Sequence, residues 1–290
     1  MIEKELIKTL AREVVTRQRT ERVPEPELVM NDPEQVKSYR SAGLEDGVMA
    51  PVYLFHCSQV CEVIKEGDVV LDLACGPANQ LGQIARINPN IQFKGIDLSK
   101  EMLTHAEDLV RQQKLQNVEL IHGSITELSM LDDQSVDAIY STMAIHHLPD
   151  TTHLKQMFNE INRVLKPDGG LYLVDFGRLK CEKSMNYFAH QYADQQPELF
   201  TIDYLNSLKA AFTVNDFKQN SSAISSRASI KHTFLVPYMV AFKSHIRRKY
   251  DDKIGNEIIK MKKQLPAYHA DDLDNLVNFF KFGGLKSFYL

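Results

Sequence analysis

The chain has 290 residues, of which 43% are hydrophobic and 25% charged, enough for a sizeable core and ordinary for a soluble globule. Its net charge of −4 gives no electrostatic footprint for nucleic acid or an anionic membrane. Cys57, Cys61, Cys75 and Cys181 show neither a disulfide framework nor paired CxxC spacing and fit a reducing, cytoplasmic compartment, while the longest apolar run, Phe234 to Phe242, is too short to span a bilayer and contains Pro237.

The N-terminus, MIEKELIK, carries acids and no apolar core of a signal peptide. Over residues 3–20 the spacing of Leu6, Ile7, Leu10, Val14 and Val15 predicts an amphipathic helix. The following TERVPEPELVMNDPE holds three prolines and is expected to be irregular. Beyond it, Gly43 and Gly47 read as hinges, Tyr39, Arg40, Tyr53 and His56 as candidate pocket residues, and about 50–64 as a second helix. Packing of Tyr39 and Tyr53 on the sheet is the competing reading.

Gly67 to Ala85 then reads as strand, glycine turn and helix. Val69, Val70, Leu71 and Leu73 make a short apolar run suited to a parallel strand buried on both faces, and Asp72 interrupts it. A carboxylate at that strand edge is costly to bury unpaired, and open α/β sheets bind ligands there, so Asp72 is a ligand-site candidate. The turn Asp72-Leu73-Ala74-Cys75-Gly76-Pro77-Ala78-Asn79 has neither the three glycines of a dinucleotide site nor a Gly-Lys-Ser/Thr phosphate loop. A small turn behind an acid suits a cationic ligand with an adenosine and no phosphates, such as S-adenosylmethionine. Asp97 ends a second strand about 20 residues later, the spacing at which a carboxylate reaches a ribose hydroxyl.

Downstream, Ser99 caps a helix with Met102, Leu103, Ala106, Leu109 and Val110 on one face. Strands follow at Val118–Ile121 and Val136–Tyr140. Asp150 or Thr151 opens a helix carrying Leu154, Met157, Phe158, Ile161, Val164 and Leu165. Lys166 to Gly170 reads as its stop and turn, and Leu171 to Phe176 as a fifth strand. Residues 182–195 and 203–222 look helical, 229–242 holds a final antiparallel strand with Pro237 at an edge or break, and the tail from His245 ends in an amphipathic helix stopped by Gly283-Gly284. The pattern predicts an α/β fold: a doubly wound, mostly parallel, seven-stranded Rossmann-like sheet with N- and C-terminal helical additions.

DLACGPAN (72–79), GIDLSKEML (95–103), IHGSITEL (121–128), DAIYSTMAIHHLPD (137–150) and LKPDGGLYLVDF (165–176) stand in the order and spacing of class I S-adenosylmethionine-dependent methyltransferases. The chain resembles that family from about Val63 to Phe176, nearest its quinone-biosynthesis methylases. The resemblance implies S-adenosylmethionine as cofactor, leaving as S-adenosylhomocysteine, held by Asp72, Ala74, Cys75, Gly76, Asp97, Leu98 and Met102. It further implies that Ser124 and Ile125 bracket the adenine and that Ser141 and Thr142 begin the segment offering a carbonyl to the methionine ammonium. Ala74 and Ala78 stand where the family usually has glycine, and Ser124 where it often has an acid.

Three units are expected: an N-terminal helical lid over 1–62, a cofactor-binding core over 63–243 and a helical extension over 244–290, with the terminal helices as candidate homodimer contacts. The acceptor is expected to be a small molecule methylated on O, N or C. The Asp/Asn-Pro-Pro-aromatic sequence of nucleic-acid amino methylases is absent, and Ser-Thr-Met-Ala-Ile-His stands in its place. His146 and His147 are the candidate bases, a histidine titrating near neutral pH. No metal is expected, since adjacent histidines point in different directions and no HxxxH spacing occurs. The alternatives are a non-catalytic methyltransferase-like module that binds a ligand or partner, and a nicotinamide-dependent dehydrogenase, which the missing glycines disfavour.

Overall fold

The computed structural model describes residues 4–27 and 29–290. Seven strands, β1 (Val69–Leu73), β2 (Gln92–Asp97), β3 (Val118–His122), β4 (Val136–Thr142), β5 (Leu165–Phe176), β6 (Ser229–His232) and β7 (Met239–Lys243), form one sheet in the order β3-β2-β1-β4-β5-β7-β6. β1 to β5 are parallel, whereas β7 is antiparallel to both β5 and β6. Alternate residues of each central strand enter different cores. Val70, Tyr140 and Tyr172 pack on one side of the sheet, and Leu71, Ile139 and Leu171 on the other. The chain winds outward in both directions from β1 and β4, so a crevice opens at their carboxyl ends.

α3 (Ala50–Val63), α4 (Asn79–Ile87) and α5 (Lys100–Gln112) cover the first face. α6 (Thr151–Val164) covers the second through Leu154, Met157, Phe158 and Ile161, helped by α9 (Val214–Asn220) through Phe217. The tail adds α10 (Asp252–Gln264) and α11 (Ala267–Phe282), and Phe280 stacks on Phe55 of α3 with ring centroids 5.0 Å apart. α3 is thereby enclosed, and all its residues but Val52 are buried.

Several local expectations are corrected. α1 (Lys4–Val15) buries Thr9 and Glu13, while Ile7, Val14 and Val15 of the predicted apolar face are exposed. Glu13 decides the orientation: its carboxylate accepts the backbone N–H groups of Lys180 and Cys181 at 2.7 and 3.0 Å. The segment expected to be irregular is so among its described residues up to Asp32, but it leads into an unexpected helix, α2 (Pro33–Ala42), whose start is written in Asn-Asp-Pro-Glu: Asp32 Oδ1 accepts from Glu34 and Gln35 N, and Pro33 stands at the first position. Gly43 caps that helix rather than serving as a hinge, and a Cβ on Gly47 would meet Ala42 O at 2.3 Å. The two helices expected over 182–195 and 203–222 are three, α7 (Glu182–His190), α8 (Glu198–Ala210) and α9. Lys166 to Gly170, read as a turn, lies within β5 at a register shift where Leu165 pairs with Val136 before Gly170 pairs with Ala138. Residues 229–242 hold two strands, with Pro237 in the connection between them.

Candidate active site

The crevice at the carboxyl ends of β1 and β4 holds two cavities. The smaller, about 140 Å³, is lined by Ala74, Gly76, Asp97, Leu98, Met102, Ser124 and Ile125, among others. The larger, about 590 Å³, is enclosed by residues from α1, α3, α7, α8, α11 and the β6–β7 connection. Tyr39, Met143 and His147 line both. A ligand in one cavity therefore meets a ligand in the other across a wall of three side chains.

The turn after β1 explains the sequence there. Ala74, Gly76 and Ala78 all take left-handed backbone conformations, with φ of 58°, 55° and 63°. Only glycine adopts that region freely, and an L residue there costs about 1–2 kcal/mol. The two alanines thus carry strain in the turn that brings backbone close to the smaller cavity. Met143, on the shared wall, is also left-handed, with φ 56°. A Cβ on Gly76 would lie 3.9 Å from Tyr39 Cε1, which puts the tyrosine ring over the turn.

Asp97 clamps this cavity. Its Oδ2 accepts Gly76 N and its Oδ1 accepts Ser99 N, both at 2.8 Å. Burial raises its carboxyl above the usual range, against the pull of these N–H groups. Ser99 Oγ also donates to Met30 O and Asn31 Oδ1, at 2.7 and 2.9 Å, drawing the N-terminal segment across so that Val29 and Met30 join the lining. Ser124 Oγ is within 2.8 Å of Thr126 Oγ1.

Asp72, Cys75, Ser141 and Thr142 line neither cavity. Asp72 is buried behind the turn; burial raises its carboxyl well above the usual range, and the Tyr140 hydroxyl beside it opposes that rise. Cys75 Sγ packs against Gly95, where an added Cβ would lie 2.9 Å from it, and Ser141 Oγ donates to Leu73 O at 2.8 Å. Tyr53 and His56 also line neither main cavity, because α3 reaches the larger one only through Pro51 and Val52 in its first turn. Tyr53 packs against Tyr39 and Gly43. His56 Nδ1 lies 2.8 Å from Tyr172 Oη, and burial lowers that imidazole to about 3.

His146 and His147 sit on a single 3-10 turn after β4, Ile145–His147, and their rings lie 4.5 Å apart at 34°. The expected divergence of adjacent histidines is not found, because this tight turn carries both rings to one side. Asp175, near the end of β5, fixes His146 twice: Oδ2 accepts its backbone N at 2.6 Å and Oδ1 pairs with Nδ1 at 2.8 Å. Burial would lower the His146 pKa, but the charge and hydrogen bond of Asp175, with Glu25, raise it above the ordinary 6.5. His147 has no such partner, and burial with the neighbouring His146 lowers it to about 3. His147 is therefore neutral across the physiological range and His146 is the titrating member of the pair.

Glu25 and Asp203, which the sequence pattern did not single out, flank His146. Glu25 Oε1 is 3.9 Å from His146 Nε2 and accepts Ser207 Oγ at 2.9 Å. Asp203 of α8 lines the larger cavity, where burial and then the charge of Glu25 raise its carboxyl to about 7. Glu25, His146 and His147 each offer a metal-ligating atom within 4.8 Å of the others. Ligand atoms around a tetrahedral ion with bonds of about 2 Å stand about 3.3 Å apart, so this trio would have to contract to hold one.

Arg22 anchors the strap that delivers Glu25. It donates to the carbonyls of Ala210, Pro149, His146 and Leu148 at 2.5–2.9 Å and lies over the Phe212 ring, 4.1 Å from the centroid. Arg22→Ala is expected to lower unfolding free energy by about 3–5 kcal/mol: four carbonyls each lose a charged donor contributing about 1.5–3 kcal/mol, and water entering this half-buried site recovers part of that sum. Arg22→Lys should recover little, because one ammonium cannot span the same acceptors. Urea denaturation checks both, and a loss under about 1 kcal/mol would contradict the anchoring role.

Comparison with known proteins agrees with this architecture. A family model described as a methyltransferase domain matches residues 64–228, more than half of the chain. A demethylmenaquinone methyltransferase of Listeria welshimeri is 36% identical over 113 residues, 39% of this chain and 46% of the relative; one of Bacillus cytotoxicus is 34% identical over 107 residues, 37% and 44%. The match thus spans less than half the length of these curated relatives. In fold, the chain is similar to a SAM-dependent methyltransferase from Aquifex aeolicus, with TM-score 0.52 and 20% identity over 74% of this chain and 98% of that one. It is also similar to a putative S-adenosyl-L-methionine-dependent methyltransferase from Methanococcus maripaludis, with TM-score 0.53 and 14% identity over 79% and 98%. With the strand order, the glycine turn and the paired cavities in place, the chain belongs to the methyltransferase domain family.

Proposed function

We propose that the protein is an S-adenosylmethionine-dependent methyltransferase acting on a small-molecule acceptor, and the observation that carries this is the three-residue wall shared by the two cavities. The smaller cavity fits the donor: it combines a carboxylate, a bare glycine turn and apolar side chains, with no phosphate-binding loop. Asp97 would hold the ribose, Met102 and Ile125 would flank the adenine, and Ser124 would meet its polar edge. When bound, the donor supplies a sulfonium methyl for in-line displacement, a reaction that chiefly requires positioning.

The larger cavity then belongs to the acceptor. Tyr39, Met143 and His147 fix the line along which donor and acceptor meet, and the phenol of Tyr39, held well above its usual pKa by burial, keeps its proton. His146, oriented by Asp175, takes a proton from the acceptor, and Glu25 and Asp203 adjust its charge. A concave volume of about 590 Å³ suits a small molecule better than a polymer. No described helix is long and apolar enough to cross a membrane, and all four cysteines are free, which supports work in the cytoplasm.

Isothermal titration with S-adenosylmethionine, S-adenosylhomocysteine and nicotinamide dinucleotides tests the donor assignment. Micromolar binding of the first two alone is the expected result and licenses an acceptor screen by S-adenosylhomocysteine release. Binding of the dinucleotides, or of nothing, would overturn it.

A further inference from the structure

The larger cavity has a one-sided balance of carboxylates over lysine and arginine. Asp194, Asp203, Asp271 and Asp272 line it, and no lysine or arginine does among the described residues. Asp194 and Asp271 are exposed at its rim, whereas Asp203 lies deep beside Glu25 and His146. Asp272 accepts a hydrogen bond from Tyr192 Oη at 2.5 Å. Asp203 pairs with no lysine or arginine, and its carboxyl is pushed to about 7 because burial opposes its charge. A largely buried carboxyl that lines the cavity is favoured in its charged form by a cation that enters beside it.

Part of the remaining wall is aromatic. Phe176 lies with its ring centroid 5.4 Å from Tyr204 and 5.8 Å from Tyr238; Tyr238 stacks on Phe188 at 4.2 Å, and Phe200 lies 6.1 Å from Tyr204. Burial keeps the phenols of Tyr204 and Tyr238 protonated, the former pushed up to about 12, so these rings present neutral π faces. Ring faces and carboxylates together are the surroundings that favour an organic ammonium, through cation–π attraction and ion pairing. They disfavour a carboxylate or phosphate: among the described lining residues no lysine or arginine could answer its charge, and the His146 ring is already held by Asp175 and Glu25.

We infer that the acceptor is an amine carried on an apolar or aromatic body, held with its nitrogen toward Asp203 and methylated on that nitrogen. This rests on the methyl-transfer reading above and names its substrate class. The ammonium pairs with Asp203 on entry and gives one N–H proton to His146, which frees the nitrogen lone pair. The N–C bond then forms as the donor's S–C bond breaks, its electron pair remaining on sulfur. The methylated amine leaves as a cation, and the proton on His146 passes to solvent.

The test is isothermal titration of the full chain saturated with S-adenosylhomocysteine, using three probes of one size: phenethylamine, 2-phenylethanol and 3-phenylpropionate. The amine is expected to bind at least tenfold tighter than the alcohol, and the carboxylate not at all. Asp203→Asn, which is isosteric and uncharged, should abolish the amine preference and leave S-adenosylhomocysteine affinity unchanged. Equal binding of amine and alcohol, no binding of any probe, or a preference that survives Asp203→Asn would overturn the inference. Tight Zn²⁺ binding that Asp203→Asn removes, without an amine preference, would overturn it in favour of a metal ion. Failure of S-adenosylhomocysteine to bind at all would instead strike the donor assignment, so the two failures are distinguishable.

Discussion

Asp97→Ala is expected to weaken S-adenosylmethionine binding by about 100-fold or more, equivalent to about 2.7 kcal/mol, while the chain remains folded. Three losses combine. Gly76 N and Ser99 N lose their acceptors, each bond drawing on a carboxylate and contributing about 1.5–3 kcal/mol. The ribose loses its acceptor as well. Because Ser99 also draws Met30 and Asn31 over the cavity, disorder in its turn loosens the lid at the same time. The rest of the sheet does not depend on this carboxylate, so a cooperative thermal transition should persist at a lower Tm. Asp97→Asn retains one acceptor oxygen and should fall between wild type and alanine. A folded Asp97→Ala protein with unchanged affinity in isothermal titration would refute the ribose assignment.

His146→Ala is expected to lower turnover by about 10²- to 10⁴-fold, the range of a positioned general base, with donor affinity unchanged. The sign of the pH dependence follows from the direction of the shift. Asp175 and Glu25 hold the imidazole above its ordinary pKa of 6.5, so the ring is protonated at acid pH and unable to accept a proton there. kcat/KM should therefore rise with pH and show an acid limb centred above 6.5. Asp203, pushed up to about 7, titrates in the same interval, so the limb reports the cluster rather than one residue. His147, lowered to about 3, contributes no inflection in that range. Alanine at 146 also removes the ring that pairs with Asp175, which invites a loss of stability. His146→Asn guards against that ambiguity, because its amide can still donate to Asp175 and cannot take the proton. Loss of the acid limb in His146→Asn, with Tm near wild type, is the expected outcome. An unchanged profile would remove His146 from the proton path.

The turn after β1 shows how much of a motif can be written in the chain and still be incompletely understood from it. Gly76 and the acids Asp72 and Asp97 stand out by type and spacing. The alanines at 74 and 78 read only as replacements for glycine, and the left-handed backbone they occupy explains why glycine is the usual choice. Asp72 and Asp97 look equivalent in sequence, each ending a strand. Their fates differ because Asp97 meets the amides of Gly76 and Ser99 at the cavity edge, whereas Asp72 is sealed beneath the turn.

The N-terminal segment is the converse case. Its prolines suggest irregular chain, and the cap signature Asp32-Pro33-Glu34 within them marks a helix. The importance of Arg22 and Glu25 is invisible locally, since a charged pair in a proline-rich stretch is ordinarily solvated. Only the fold brings Arg22 to four carbonyls contributed by segments more than 120 residues away, and with it sets Glu25 against His146.

The strand-and-helix alternation, the doubly wound sheet and the part of the smaller cavity built from Ala74, Gly76, Asp97, Leu98, Met102, Ser124 and Ile125 are determined by the sequence, because they rest on local signals: apolar periodicity, turn chemistry and fixed spacing. Beyond Tyr39, His146 and His147, the larger cavity was decided by tertiary structure. Its walls come from α1, α3, α7, α8 and α11, elements far apart in the chain, and its charge arises from where buried carboxylates converge. Which histidine titrates was settled in the same way, since His146 and His147 are identical in type and adjacent in sequence, and only the position of Asp175 distinguishes them.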